Sequence, residues 1–297
     1  MRVIQGDEVR CVLKWRANVG ECPVWHAGER RLYWVDILEK KIHRFDPATA
    51  KNETFELPEI VPCIGLRAAG GLVLTLKKDF AFFDPVTGKL EKLAAVESDR
   101  PNNRFNDGKC DRQGRFWAGT MDSIHWDTPA GNLFRLDTGR KAERMRSEVV
   151  CANGLDWSPD SRTMYFTESF RYEVFAYDFD PVTGAVANRR PFIRVEKASG
   201  GFPDGLTVDA EGFVWSCAVG IGEIRRYDPE GKLERTIRLP VSRGTSCAFG
   251  GEDFETLYIT SSRETLKPEE LRDRPLSGSL FAVETGVRGL PSTPYAG

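Results

Sequence analysis

The stretch TMYFTESFRYEVFAYDFDPVTG, Thr163 to Gly184, contains two short runs in which aromatic and apolar residues alternate with polar ones, and it closes on an Asp-Pro-Val-Thr-Gly turn. Alternation of period two is the pattern of a half-buried strand, and the closing residues are those of a hairpin turn. The same unit recurs as RLYWVDILEKKIHRFDPATA from Arg31, GLVLTLKKDFAFFDPVTG from Gly71, and GRFWAGTM with GNLFRLDTG from Gly114. It returns as GFVWSCAVGIGEIRRYDPEG from Gly212 and as TLYITSS with GSLFAVETG from Thr256. The strand starts near Leu32, Leu72, Phe116, Tyr165, Val214 and Leu257 are spaced by 40, 44, 49, 49 and 43 residues. Several short strands repeating at about 40–50 residues are the mark of propeller blades. The fold expected is all-β: a six-bladed β-propeller with four-stranded antiparallel blades, forming a single domain over residues 1–297. A ring of blades leaves an unpaired edge unless its ends meet, so the strand-like segment Val9–Leu13 is expected to complete the last blade. The DPxTG segments are expected to be hairpin turns, because Asp178-Phe179-Asp180 lacks the later acidic ligands of a calcium loop.

Composition narrows the function classes. The 297 residues carry 42 Lys plus Arg against 44 Asp plus Glu, without a long run of either sign. That balance points to neither a nucleic-acid partner nor a membrane partner. Met1 to Arg10 is charged and has no apolar core of signal-peptide length, and the seven cysteines are widely spaced without a CxxC pair. Both observations suit a reducing, cytoplasmic setting with buried thiols. GxSxG, HExxH, phosphate-loop and GxGxxG signatures are missing, which removes most support for serine-hydrolase and nucleotide-dependent chemistry.

A short strand precedes each aromatic strand start, and aligning these strands matches Glu21, Cys63, Asn106, Asn153 and Asp204, with Thr245 or Ser246 as the sixth. Equivalent positions on the innermost strands of a propeller face the central channel. Two carboxylates and two carboxamides are therefore expected to converge at one mouth. Without a cation the carboxylates repel, or one takes up a proton. A divalent ion resolves the conflict, and all-oxygen ligands suit Ca²⁺, Mg²⁺ or Mn²⁺, with Zn²⁺ or Fe²⁺ also compatible. The same residue types would also solvate a channel or cap Asn-Gly and Asp-Gly turns; their recurrence at matched positions favours a site. His26, His43 and His125 match no ring position.

GECPVW at Gly20, NNRFNDGK at Asn102, GRFWAGTM at Gly114, NGLDWSPD at Asn153, PDGLTVDAEG at Pro203 and CAFGGED at Cys247 occur in that order. Along essentially its whole length the chain resembles the gluconolactonase and regucalcin (senescence marker protein) family of six-bladed propellers. The resemblance implies one divalent metal, Ca²⁺ first, held by Glu21, Asn153 and Asp204. It also implies that Arg104 and Asn106 contact the substrate with Asn103 nearby. The implied activity is hydrolysis of an aldonolactone of gluconolactone, xylonolactone or arabinonolactone type, by a monomer or weak homo-oligomer. Asp204 is the expected acceptor of the proton of the attacking water. After Met121 the sequence Asp122-Ser123-Ile124-His125-Trp126-Asp127 lacks the acidic residue that mammalian members carry in this loop; His125 or Trp126 is a candidate cover for the sugar. Competing readings are a calcium-binding regulator without catalysis and a phosphotriesterase-like hydrolase. A WD-repeat interaction propeller would require a blade signature that the chain lacks.

Overall fold

The computed structural model describes residues 2–4, 6 and 8–297. Strands fill six antiparallel sheets, and in each the first strand of the repeat is innermost. These innermost strands are Gly20–His26, Ile64–Leu66, Asn103–Cys110, Ala152–Trp157, Phe202–Val208 and Gly244–Gly250. Each packs against the next and the last against the first, which closes a six-bladed β-propeller around a channel. The last blade takes Arg10–Leu13 as its outer strand, antiparallel to Leu280–Glu284, as the edge argument requires. One addition was not legible beforehand: Arg2–Ile4 adds a parallel fifth strand to the fifth blade, pairing Ile4 with Ile237.

Burial falls from the axis outward. Every residue of Ala152–Trp157 and of Val214–Val219 is buried, whereas the outermost strand Lys51–Glu56 of the first blade has no buried residue. Large side chains, among them Trp34, Trp117, Trp157 and Trp215, fill the interior with almost no exposure. Burying about 150–250 Å² of each contributes about 4–6 kcal/mol at about 25 cal/mol per Å². Two of the indole N–H groups are provided for by the repeat itself, Trp34 Nε1 donates to Asn52 Oδ1 at 3.3 Å, and Trp157 Nε1 is buried without a partner. Asp111 accepts Trp117 Nε1 at 2.9 Å, and Asp209 accepts Trp215 Nε1 at 2.8 Å. The same aspartates anchor Arg115 and Arg226.

The DPxTG segments are turns. Asp84 and Asp180 accept the backbone N–H of Val86 and Val182 at 2.8 and 2.9 Å, and Gly88 and Gly184 supply the positive φ of 73° and 71° that closes each hairpin. All seven cysteines are free, six of them buried. Among the described residues no helix is long and apolar enough to cross a membrane.

Candidate active site

Five of the innermost strands present side chains to one mouth of the channel, and all five use the same irregularity. Register slips at Cys22-Pro23, Asn106, Asn153-Gly154, Asp204-Gly205 and Thr245-Ser246. A bulge adds a residue to one strand, bends it and re-aims a side chain. Glu21, Asn106, Asn153, Asp204 and Thr245 thereby line one cleft of about 500 Å³. The glycines of these bulges serve close packing. A β-carbon on Gly154 would lie 2.8 Å from the carbonyl oxygen of Asp204, and one on Gly205 would lie 2.6 Å from Cα of Ser246. The Asn-Gly and Asp-Gly pairs are thus strand bulges, and the turn-capping interpretation of them does not hold.

Cys63 departs from the expected ring. The inner strand of its blade is only three residues long, and its thiol is buried 3.1 Å from Thr75 Oγ1 within the apolar core. Of the two candidates for the sixth position, Thr245 lines the cleft and Ser246 lines the opposite end of the channel.

Glu21, Asn153 and Asp204 are 6%, 5% and 7% exposed. Glu21 Oε2 accepts the N–H of Cys22 at 2.9 Å. Burial, reinforced by Asp204 and Asp107, pushes the Glu21 carboxyl well above the usual carboxylate range. Burial and Asp107 do the same to Asp204, opposed by Arg243. Asn153 donates from Nδ2 to Ser169 Oγ at 2.8 Å, which leaves its Oδ1 buried without a hydrogen-bond partner. An orphaned amide oxygen beside two carboxylates of raised proton affinity fits a hard divalent cation. No cluster of three or more His, Cys, Asp or Glu groups occurs among the described residues. A metal here therefore draws on the Asn153 amide as well as on the two acids. The three histidines lie outside the cleft lining.

Arg104 lines the same cleft as these residues. Its Nη1 donates to Asn106 Oδ1 at 2.7 Å and to the Phe105 carbonyl at 2.9 Å, while Asn106 Nδ2 donates to the Ala152 carbonyl at 2.7 Å. Asn106 thus tethers the guanidinium to the next blade. Asn103 corrects the expectation of a substrate contact. It is 2% exposed and absent from the cleft lining, and its Nδ2 donates to Glu97 Oε2 at 3.0 Å and to the Ala130 carbonyl at 2.8 Å. Its alternating strand position points it away from the mouth, where it holds the loop around Glu97. Cys151 lines the cleft, but burial pushes its thiol up to about 12, so it remains a neutral thiol.

The loop after Met121 is ordered by Asp122, whose Oδ1 accepts the N–H groups of Ile124 and His125 at 2.8 and 2.9 Å. It delivers Trp126 to the cleft, with ring centroids 5.8 Å from Phe170, itself 5.2 Å from Phe202. His125 stays outside. Sequence reasoning missed Phe170, Phe202, Arg243 and Glu264, all of which line the cleft. Phe202 and Arg243 precede the ring residues Asp204 and Thr245 by two positions, a usable signal. Phe170 and Glu264 follow second strands, at positions where the blades differ in length.

A second hollow lies at the other end of the channel, lined in part by Leu290 to Thr293. Its charges are already matched, Lys109 Nζ lying 2.8 Å from Asp156. In the wall of this second hollow the Cys22 thiol reaches the Ile64 and Gly108 carbonyls at 3.4 and 3.8 Å. Unmatched acidic charge therefore concentrates at the first mouth.

Residues 19–263 match a family described as the SMP-30/Gluconolactonase/LRE-like region. The chain is 39% identical to regucalcin of Sus scrofa, over 98% of this chain and 99% of that protein. It is also 39% identical to a 6-deoxy-6-sulfogluconolactonase of Pseudomonas putida, with the same two coverages. The solved structure of a calcium-binding protein, regucalcin, from Agrobacterium tumefaciens superposes with a TM-score of 0.94 at 27% identity, covering 99% of each chain. On these matches, which agree with the propeller and with the motifs that line its mouth, the chain belongs to the SMP-30/gluconolactonase/LRE-like family.

Proposed function

We propose that the chain is a metal-dependent sugar lactonase that opens an aldonolactone to the aldonic acid. One observation carries this reading: Glu21, Asp204 and the unpartnered Oδ1 of Asn153 share a cleft with a guanidinium that Asn106 holds in place. These three residues are the proposed holders of one divalent ion, with Ca²⁺ first and Zn²⁺, Mn²⁺, Mg²⁺ or Fe²⁺ as alternatives. When bound, such an ion supplies a Lewis acid that polarises an ester carbonyl and makes water more acidic.

The chain's own groups supply the remainder. Arg104 offers N–H donors to the oxygens of the sugar and to charge developing on the carbonyl oxygen. Asn106 fixes the direction of that guanidinium. Asp204 accepts the proton of the attacking water, and the ring oxygen leaves as the hydroxyl of the opened acid. Trp126, Phe170 and Phe202 form an apolar wall for the C–H face of the sugar and limit access of bulk water. Family membership supports the reaction class, and the Pseudomonas putida relative bears the name of a sugar lactonase.

The test is acid release from five- and six-carbon aldonolactones by metal-stripped protein, before and after addition of each ion. Turnover restored by one ion supports the reading. Tight Ca²⁺ binding without turnover on any lactone, in folded protein, would replace it with a calcium-binding regulator. Organophosphate turnover exceeding lactone turnover would replace it with a phosphotriesterase.

A further inference from the structure

Several interior arginines of this chain are ion-paired. The Arg226 side chain, 3% exposed, lies 2.8 Å from Asp209 and 2.6 Å from Glu211, and Arg115 is held by Asp111 at 2.5 Å. Arg243, like Arg104 in the same cleft, has no ion pair, and unlike Arg104 its side chain has no hydrogen-bond acceptor among the described residues. It lines the cleft, its Nε is buried without a hydrogen-bond partner, and no carboxylate lies within ion-pairing distance of it among the described residues. An unpaired, partly desolvated cation is costly. Its position is equally informative. Its Cζ lies 6.0 Å from the Phe202 ring centroid, so Trp126, Phe170, Phe202 and Arg243 form one continuous wall. Arg104 favours the charged form of Glu21 and Arg243 that of Asp204, and both guanidiniums line the cleft. With a divalent ion in place, the lining carboxylates Glu21, Asp204 and Glu264 are outweighed by the ion and the two arginines, leaving one excess positive charge.

We propose that Arg243 anchors an anionic group of the substrate, and hence that this cleft takes a lactone bearing a carboxylate or sulfonate at the end remote from the ester. The proposal rests on the lactonase reading and deepens it. A sugar lying along the aromatic wall presents its carbonyl toward Asp204 and Arg104 and its exocyclic carbon toward Arg243. A guanidinium binds a carboxylate or sulfonate through two parallel N–H···O bonds, stronger than those it makes to a hydroxymethyl group.

The test compares D-glucono-1,4-lactone with D-glucaro-1,4-lactone, which share a ring and differ at the sixth carbon, and adds a 6-sulfonated gluconolactone. Wild-type protein and the variants Arg243→Met and Arg243→Lys are measured with the activating metal. The expected result is a wild-type kcat/KM at least about tenfold higher for an anionic lactone than for the neutral one. Arg243→Met should erase most of that preference and Arg243→Lys should restore part of it. Which of the two anionic lactones is preferred separates carboxylate from sulfonate. Equal wild-type rates on all three, or the same fractional loss on all three in Arg243→Met, would overturn the proposal. If no lactone turns over, the lactonase reading itself falls, and titration calorimetry of the metal-loaded protein decides the anchor independently. Glucarate binding about tenfold tighter than gluconate in wild type but not in Arg243→Met supports it; equal binding ends it.

Discussion

Arg104 illustrates how one side chain divides the work of the cleft. Its guanidinium is directed by Asn106 and does not belong to the ligand set, so Arg104→Met is expected to lower kcat/KM by about 100-fold while metal affinity stays within about threefold. Steady-state kinetics and calorimetry on the same preparation check this, and loss of the metal would reassign Arg104 as structural. His43 carries a different consequence. It is stacked on Trp34 at 4.1 Å, and burial lowers its imidazole from 6.5 to about 3. The unfolded chain therefore takes up a proton near pH 6.5 that the folded chain refuses until about pH 3. The stability supplied by neutral His43 is complete above pH 6.5 and drains as the pH falls, by up to about 3 kcal/mol at pH 4. His43→Gln should flatten the fall of Tm between pH 7 and pH 4, measured against wild type by calorimetry. At this scale Glu21, Asn153 and Asp204 were legible because the repeat placed them at matched positions. Glu264 was not, because it sits outside the matched positions, and Arg243 was passed over although it stands two residues before a ring position, as Phe202 does. Asn103 was misread because its neighbours in the motif face the cleft while strand alternation turns it inward.

Among elements, the bulged inner strand does most to create the site. Gly205 lets the fifth and sixth inner strands approach at the point where Asp204 turns outward, so Gly205→Ala is expected to cost about 2–3 kcal/mol. It should also weaken metal binding, although the altered residue contacts no ligand. Denaturant unfolding and calorimetry check both effects; unchanged values would mean that the neighbouring strand yields freely. The repeat period and the hairpin turns were readable from the sequence, because aromatic alternation and Asp-Pro-Val-Thr-Gly are local signals. The bulges were not, since a bulge is defined by the register of the partner strand. The short, unbulged Ile64–Leu66 strand, which removes Cys63 from the ring, was hidden for the same reason.

At the scale of the whole molecule, ring closure was legible as a need, an edge requiring a partner, and Arg10–Leu13 meets it. Removing the chain through Leu13 should free the outer edge of Leu280–Glu284, strip Arg2–Ile4 from the fifth blade, lower Tm by at least about 5 °C and produce concentration-dependent association visible by light scattering. A shortened protein that stayed monomeric with an unchanged Tm would show that the ring closes without its seam. The path of the other end of the chain was not foreseeable. Gly289 bridges to Asp209 and Tyr295 to Arg67, carrying Leu290 to Thr293 along the far hollow. The cleft at the first mouth and this far hollow share no lining residue, Cys22 belonging to the far one. On the lactonase reading, an opened acid that departs by the door its precursor uses competes with that precursor for the cleft, and added aldonic acid is expected to throttle the flow from the product side.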